Sequence, residues 1–203
     1  MSDPASFPEN PSRIILTGFM GAGKTTVGAL LAKRLGWAFV DSDHVVEKRA
    51  AMTVAQIFEQ RGEAAFRELE AAAVREAGCE HRLILALGGG ALEIPATREF
   101  LASLTEIMIV FLEAPLETMI TRCARHDSGP VRPVLADQAR LAERWRQRLP
   151  WYRRAHLTVQ TEKLSPQAVV ECIMESLKSW PDAGDRVTPS SSAQACDKRG
   201  ILA

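Results

Sequence analysis

The run from Gly18 to Thr25 reads G-F-M-G-A-G-K-T and has the spacing G-x-x-x-x-G-K-[ST]. In such a segment a loop turns its amide N–H groups around phosphate oxygens while the lysine reaches the β- and γ-phosphates. Glycine at 18, 21 and 23 leaves no Cβ in the way of a phosphate, and a helix starting near Lys24 adds unpaired N–H groups and the positive end of its dipole. Thr25 brings a hydroxyl suited to Mg²⁺. The expected nucleotide-binding set is therefore Gly21, Ala22, Gly23, Lys24, Thr25 and Thr26. The competing reading is a Gly-rich turn that happens to precede a helix. Position argues against it: an apolar run at 13–17 stands before the loop, and Val27, Leu30, Leu31 and Leu35 recur after it at helical spacing.

Other residues carry chemistry by type and spacing. Asp41-Ser42-Asp43 puts two carboxylates one residue apart after a strand-like run. They suit a metal and an acceptor substrate, or equally a helix cap and a first-turn acid. Arg67 and Glu70 are three residues apart, which on a helix gives a plain surface ion pair. Gly88-Gly89-Gly90 is longer than a tight turn requires and lets a ligand approach the backbone. The polar segment from Arg125 to Pro133, R-H-D-S-G-P-V-R-P, suits a mobile loop whose arginines, Arg125 and Arg132, close over a nucleotide. Arginines at 140, 144, 146, 148, 153 and 154 read mostly as a solvated helix face. Arg148 differs, because Leu149-Pro150 is expected to end or bend the helix just after it.

The elements that must position these groups alternate. Strand patterns at 13–17, 37–40, 83–87, 107–112 and 157–160 are separated by helical ones, which implies α/β architecture with a parallel sheet covered on both faces and ligands at the carboxyl ends of its strands. Thr53-Val54-Ala55-Gln56 has capping-box spacing, Gly62 separates that helix from one lined by Phe66, Leu69 and Ala73, and Ser165-Pro166 starts a last helix. Residues 1–12 are expected to be disordered, 13–180 to form one domain, and the Pro- and Ser-rich stretch 181–203 to be a disordered tail.

The chain of 203 residues has Lys plus Arg equal to Asp plus Glu at 25 each. No net field attracts nucleic acid or an anionic membrane, which favours a small-molecule partner. The four cysteines and four histidines form no C-x-x-C or metal-ligand pattern. With neither a signal peptide nor an apolar span in view, the expected location is the cytoplasm.

Taken in order, G-F-M-G-A-G-K-T-T-V-G, D-S-D, I-F-E-Q-R-G-E-A-A-F-R-E-L-E, L-G-G-G, V-R-P-V-L and R-L-P-W-Y-R resemble the shikimate kinase family, over about residues 14 to 177. The resemblance implies a three-layer α/β/α P-loop kinase fold with a five-stranded parallel sheet, a substrate-binding insertion at about 42–78 and a lid at about 124–137. It implies transfer of the γ-phosphoryl of ATP to the 3-hydroxyl of shikimate, with one Mg²⁺, by a monomer, on the route to chorismate and aromatic amino acids. By similarity Asp43 faces the acceptor hydroxyls, Arg67 and Arg148 hold the shikimate carboxylate, Gly88, Gly89 and Gly90 border the substrate, and Glu70 orients Arg67, a reading that then outweighs the surface pair. Lys24 and Arg132 reach the phosphates, Arg125 lies against adenine, and Asp41 holds the metal through water. Where the family has R-P-L-L and a leucine before the tyrosine, this chain has R-P-V-L and Trp151. A sugar-acid kinase of the gluconate type and a non-catalytic ligand sensor are the competing functions.

Overall fold

The computed structural model describes residues 11–126 and 138–180. Five strands, β1 (Arg13–Thr17), β2 (Ala38–Asp41), β3 (Leu83–Ala86), β4 (Ile107–Glu113) and β5 (Leu157–Gln160), form one sheet in the order β2-β3-β1-β4-β5. Every pairing is parallel. The three inner strands are buried along nearly their whole length, which is why they read as continuous apolar runs rather than alternating ones. The edge strand β2 is partly exposed and less regular in sequence. As a result its position is shifted by one residue from the sequence expectation: Trp37 stays outside and Asp41 pairs with Ala86. β3 stops one residue earlier than expected, and β4 runs one further.

Helices α1 (Lys24–Leu35), α4 (Pro95–Ser103), α5 (Leu116–His126), α6 (Gln138–Tyr152) and α7 (Pro166–Lys178) alternate with the strands. Between β2 and β3 come α2 (Ser42–Ala50) and α3 (Val54–Gly78), which pack on each other around Val46, Ile57, Phe66 and Ala73, a core separate from that of the sheet. The capping box forms in full: Gln56 N–H donates to Thr53 Oγ1 at 3.2 Å and Thr53 N–H donates to Gln56 Oε1 at 2.8 Å. Gly62 interrupts α3 at φ 80°, ψ 170°, a conformation L-residues rarely adopt, and so sets the direction of the helix that carries Arg67. Ser165 caps α7, accepting from the Ala168 amide at 3.2 Å.

Two expectations change. Pro11 and Ser12, counted with the N-terminal segment, are buried, and Ser12 N–H donates to Glu106 O at 2.9 Å, so the ordered fold begins earlier. Of the end or bend expected at Leu149-Pro150, an end there is excluded, because α6 continues to Tyr152. A proline this close to the end removes one amide donor from the last turn, and burial of Tyr152 against Phe111, with ring centroids 5.3 Å apart, holds that turn in place. Among the described residues no helix is long and apolar enough to cross a membrane.

Candidate active site

The site is built where β1, β2 and β3 end. The loop between β1 and α1 has left-handed or otherwise positive φ at Gly18, Gly21 and Gly23, and a Cβ at Gly21 would stand 2.2 Å from the Met119 carbonyl oxygen. Glycine is thus required there both by backbone conformation and by the close approach of α5. Ala22 is buried and its N–H closes a turn on Phe19 O at 3.2 Å, while Thr25 and Thr26 are exposed on the first turn of α1. Lys24 Nζ bridges its own loop, donating to Gly18 O at 2.8 Å and Phe19 O at 3.0 Å. Burial lowers its pKa, against the opposing pull of Asp43 and Asp41.

The cap reading of Asp41 is what the geometry shows, together with a bond to the phosphate loop. Its Oδ1 caps α2 by accepting from the Asp43 amide at 3.1 Å, and its Oδ2 accepts from Thr25 Oγ1 at 2.7 Å. One carboxylate therefore ties the second strand to the phosphate loop. Asp43 follows in the first turn of α2. Its pKa is raised, first by burial and against the charge of Lys24. Ser42 is fully buried between them and accepts from the Gly88 amide at 2.8 Å, fastening the triple glycine to α2.

Each of the three glycines faces a different side chain. A Cβ on Gly88 would lie 2.0 Å from Glu70 Oε1 and 2.4 Å from Asp43 Oδ1, and one on Gly90 would lie 2.3 Å from Arg67 Nη2. Gly89 lies between Arg148 Nη1, 3.5 Å from such a Cβ, and the loop residues Gly18 and Met20 at 3.7 Å. These distances account for the outer two glycines: side chains from α2 and α3 converge on one short turn, leaving no room for a methyl at Gly88 or Gly90.

Arg67 donates to Glu70 Oε2 at 2.7 Å and Glu63 Oε1 at 3.0 Å. The pair with Glu70 is not a surface pair, since Glu70 is fully buried and its Oε1 has no hydrogen-bond partner. Burial pushes the Glu70 pKa up to about 7, with Arg67 opposing and Asp43 adding to the rise. Arg148 is the buried member of the arginine-rich helix, whereas Arg146 is exposed and pairs with Glu143 at 2.9 Å. Phe19, Phe111, Trp145 and Tyr152 pack as one aromatic group that fixes α6 against the phosphate loop and β4. The Arg148 guanidinium lies 5.7 Å from the Phe19 ring centre. Tyr152, four residues on and hence on the same helical face, donates to the Gly89 carbonyl.

Sequence reasoning assigned no role to Ser42, Glu93, Arg98 or Tyr152. Tyr152 stood four residues after Arg148, a usable signal. Glu93 lies in the 3₁₀ turn Ala91–Glu93, and nothing in its spacing betrayed that it would reach Arg148 on α6, 55 residues away. Trp151, where the family has a leucine, has the guanidinium groups of Arg98 and Arg154 over its ring, 3.8 Å and 4.5 Å from the ring centre. Arg132 lies outside the described residues. Arg125 falls within the span of α5, its side chain outside the description.

A parallel sheet in this order, with a lysine-bearing phosphate loop opening α1 and a helical pair inserted after β2, defines a P-loop kinase of the α/β class. Residues 20–178 match the family model for shikimate kinase. A shikimate kinase from Moorella thermoacetica is 38% identical over 172 residues, 84% of this chain and 96% of its own length. The structure of shikimate kinase from Acinetobacter baumannii in complex with shikimate superposes with a TM-score of 0.77 at 37% identity, covering 84% of this chain and 95% of that one. The chain belongs to the shikimate kinase family and is an ATP-dependent kinase. A sugar kinase from Janibacter sp. HTCC2649 gives a TM-score of 0.58 at 16% identity over 84% of this chain and 95% of that one, which is likeness of fold alone.

Proposed function

We propose that this site moves the γ-phosphoryl of ATP to the 3-hydroxyl of shikimate, with Arg67 and Arg148 holding the acceptor's carboxylate and Asp43 receiving the hydroxyl proton. The observation that carries this reading is the convergence of Asp43, Arg67 and Arg148 on the turn Gly88–Gly90, beside the phosphate loop. Two guanidinium groups offer paired planar N–H donors that match a carboxylate. The turn between them is bare backbone, which admits a six-membered ring and offers an amide at Gly89 to it.

In the reaction the acceptor oxygen forms a bond to the γ-phosphorus as the bond from phosphorus to the bridging oxygen breaks. ADP leaves with that electron pair, and the hydroxyl proton passes to Asp43. Phosphoryl transfer needs positioning and charge neutralisation more than covalent help. Lys24 exchanges the Gly18 and Phe19 carbonyls for phosphate oxygens, and Arg132 comes to them from the lid. Arg125 packs against adenine. Asp43, with a pKa already raised by burial, is a better proton acceptor than an exposed aspartate.

The residues present fit Mg²⁺. Thr25 Oγ1 and Asp41 Oδ2 are oxygen donors 2.7 Å apart, as a hard cation prefers, and among the described residues no cluster of three or more protein ligands exists that would hold a metal alone. Thr25 would bind the ion directly and Asp41 through water, the remaining ligands coming from the nucleotide. When bound with ATP it supplies neutralisation of the phosphate charge. We place the reaction in the cytoplasm and assign it to a single copy of the chain.

The test is a coupled assay of ADP release offering shikimate, quinate and gluconate in turn. Turnover of shikimate well above the others is expected. Turnover of gluconate without shikimate would overturn the assignment.

A further inference from the structure

Glu93 is an acid placed where the proposed function needs the substrate's acid. Its Oε2 lies 2.9 Å from Arg148 Nε, 2.8 Å from Arg148 Nη2 and 3.8 Å from Arg67 Nη2. One carboxylate oxygen thus stands between the two guanidinium groups assigned to the acceptor. We propose that Glu93 is a displaceable internal carboxylate, a specificity-determining residue that occupies the arginine clamp of the free enzyme and is exchanged for the carboxylate of the substrate. The proposal rests on the reading of Arg67 and Arg148 given above.

Three features favour exchange over permanent support. Arg67 has nearer partners in Glu70 at 2.7 Å and Glu63 at 3.0 Å, so it does not depend on Glu93 at 3.8 Å. Arg148 does: its side chain is 8% exposed, and Glu93 is the carboxylate paired with it among the described residues. A buried guanidinium left without an anion is costly, so something must stand beside it whenever substrate is away. The Glu93 side chain, in turn, is 35% exposed and has a path to water. Its main chain is held independently, because Arg98 Nη1 donates to Leu92 O at 2.7 Å and Glu93 O at 2.8 Å while stacking on Trp151. A rotation of the side chain therefore releases Arg148 without moving the turn.

The exchange makes the clamp selective. An acid entering the site replaces one carboxylate by another and leaves the charge on Arg148 compensated. A neutral polyol of similar shape has nothing to offer in return and must either leave Glu93 in its way or strand the guanidinium. Binding of the true substrate is weakened by the same competition, so Glu93 trades affinity for discrimination.

The experiment uses the full chain and Glu93→Gln, which keeps the volume and removes the charge. Shikimate KM and Kd should fall by roughly ten-fold, as for removal of a charged competitor from a hydrogen-bonded site. The kcat should stay within about two-fold and the KM for ATP should not change, since Glu93 lies on the acceptor side. Sulfate, used as a simple anion probe, should raise the melting temperature of Glu93→Gln more than that of the wild type. Glu93→Asp, with the charge kept and the reach shortened, should fall between them and serves should Glu93→Gln not fold. A shikimate KM that is unchanged or raised in these variants overturns the proposal and makes Glu93 a fixed support of the arginines. If the wild type does not turn over shikimate, the function assigned above fails, and the sulfate arm alone then decides whether Glu93 competes with anions.

Discussion

Gly90→Ala tests the arginine clamp by adding one methyl group. Gly90 sits at φ −107°, ψ 0°, which alanine tolerates, so the substitution introduces no backbone strain. The new Cβ would lie 2.3 Å from Arg67 Nη2, 2.5 Å from Nη1 and 2.6 Å from Cζ. Ordinary contact distances are about 3.5 Å, so the guanidinium must retreat by about 1 Å. Its bond to Glu70 is 2.7 Å and its bond to Glu63 is 3.0 Å. Stretched by about 1 Å these cease to be hydrogen bonds, and the group no longer points into the site. Losing one charge-assisted contact to the acceptor carboxylate is worth about 1.5–3 kcal/mol, or roughly 10- to 150-fold in affinity. Because those bonds hold the fully buried Glu70, the fold should also lose about 1–3 kcal/mol. Steady-state kinetics should therefore show a shikimate KM raised at least ~10-fold with ATP KM near normal, and thermal unfolding should show a lowered melting temperature. A variant of normal shikimate KM would refute the placement of Arg67 against the substrate turn.

Asp43→Asn should reduce kcat by at least ~100-fold with nucleotide affinity near normal, and near-normal turnover in steady-state kinetics would remove the carboxylate from proton transfer. Because burial raises the pKa of Asp43, the acid limb of the wild-type pH–rate profile should lie above the usual aspartate range, activity falling as pH drops through it. A third expectation concerns stability. The His156 ring accepts from the Ile109 amide at 2.9 Å through Nδ1, which an imidazolium cannot do, and burial lowers its pKa. The unfolded chain then takes up the proton more readily, so stability is full above about pH 6.5 and declines as pH falls below it. His156→Asn, which keeps an acceptor without titrating there, should flatten the melting temperature between pH 7.5 and 5.5, and an unflattened curve would remove His156 from that dependence.

The donor half of the site was legible because its chemistry is local. Gly18 to Thr25 must be contiguous to wrap a phosphate, and the flanking strand and helix announce themselves by period. Gly62 and Thr53-Gln56 were likewise readable, since caps and breaks depend on neighbours in the chain. The acceptor half is long-range. Gly88 meets Glu70 and Asp43, and Gly90 meets Arg67, across helices whose relative placement no periodicity fixes. There the roles came from resemblance to a family rather than from spacing. Asp41 could not be assigned from spacing because one of its oxygens caps α2 while the other reaches Thr25, sixteen residues away. Spacing alone read Arg67–Glu70 as a surface pair, because i,i+3 separation says nothing of burial, and only the resemblance set Glu70 behind Arg67. Glu93 escaped altogether: a short 3₁₀ turn carries no amphipathic pattern, and its partner lies on α6. The edges of β2 were misplaced by one residue because a partly exposed edge strand carries little pattern, and the run of α6 past Pro150 was hidden because burial of Tyr152 decides it.

The central claim is that the arginine pair reads a carboxylate on the acceptor that the phosphate loop's γ-phosphoryl is aimed at. Initial rates of ADP release by the full chain with no acceptor, with shikimate and with the methyl ester of shikimate test it most directly. The account expects release that depends on shikimate and falls at least ~100-fold for the ester at equal subsaturating concentration, as for loss of a charge held by two guanidinium groups. Equal rates with acid and ester, or no stimulation by shikimate over the acceptor-free rate, would contradict it.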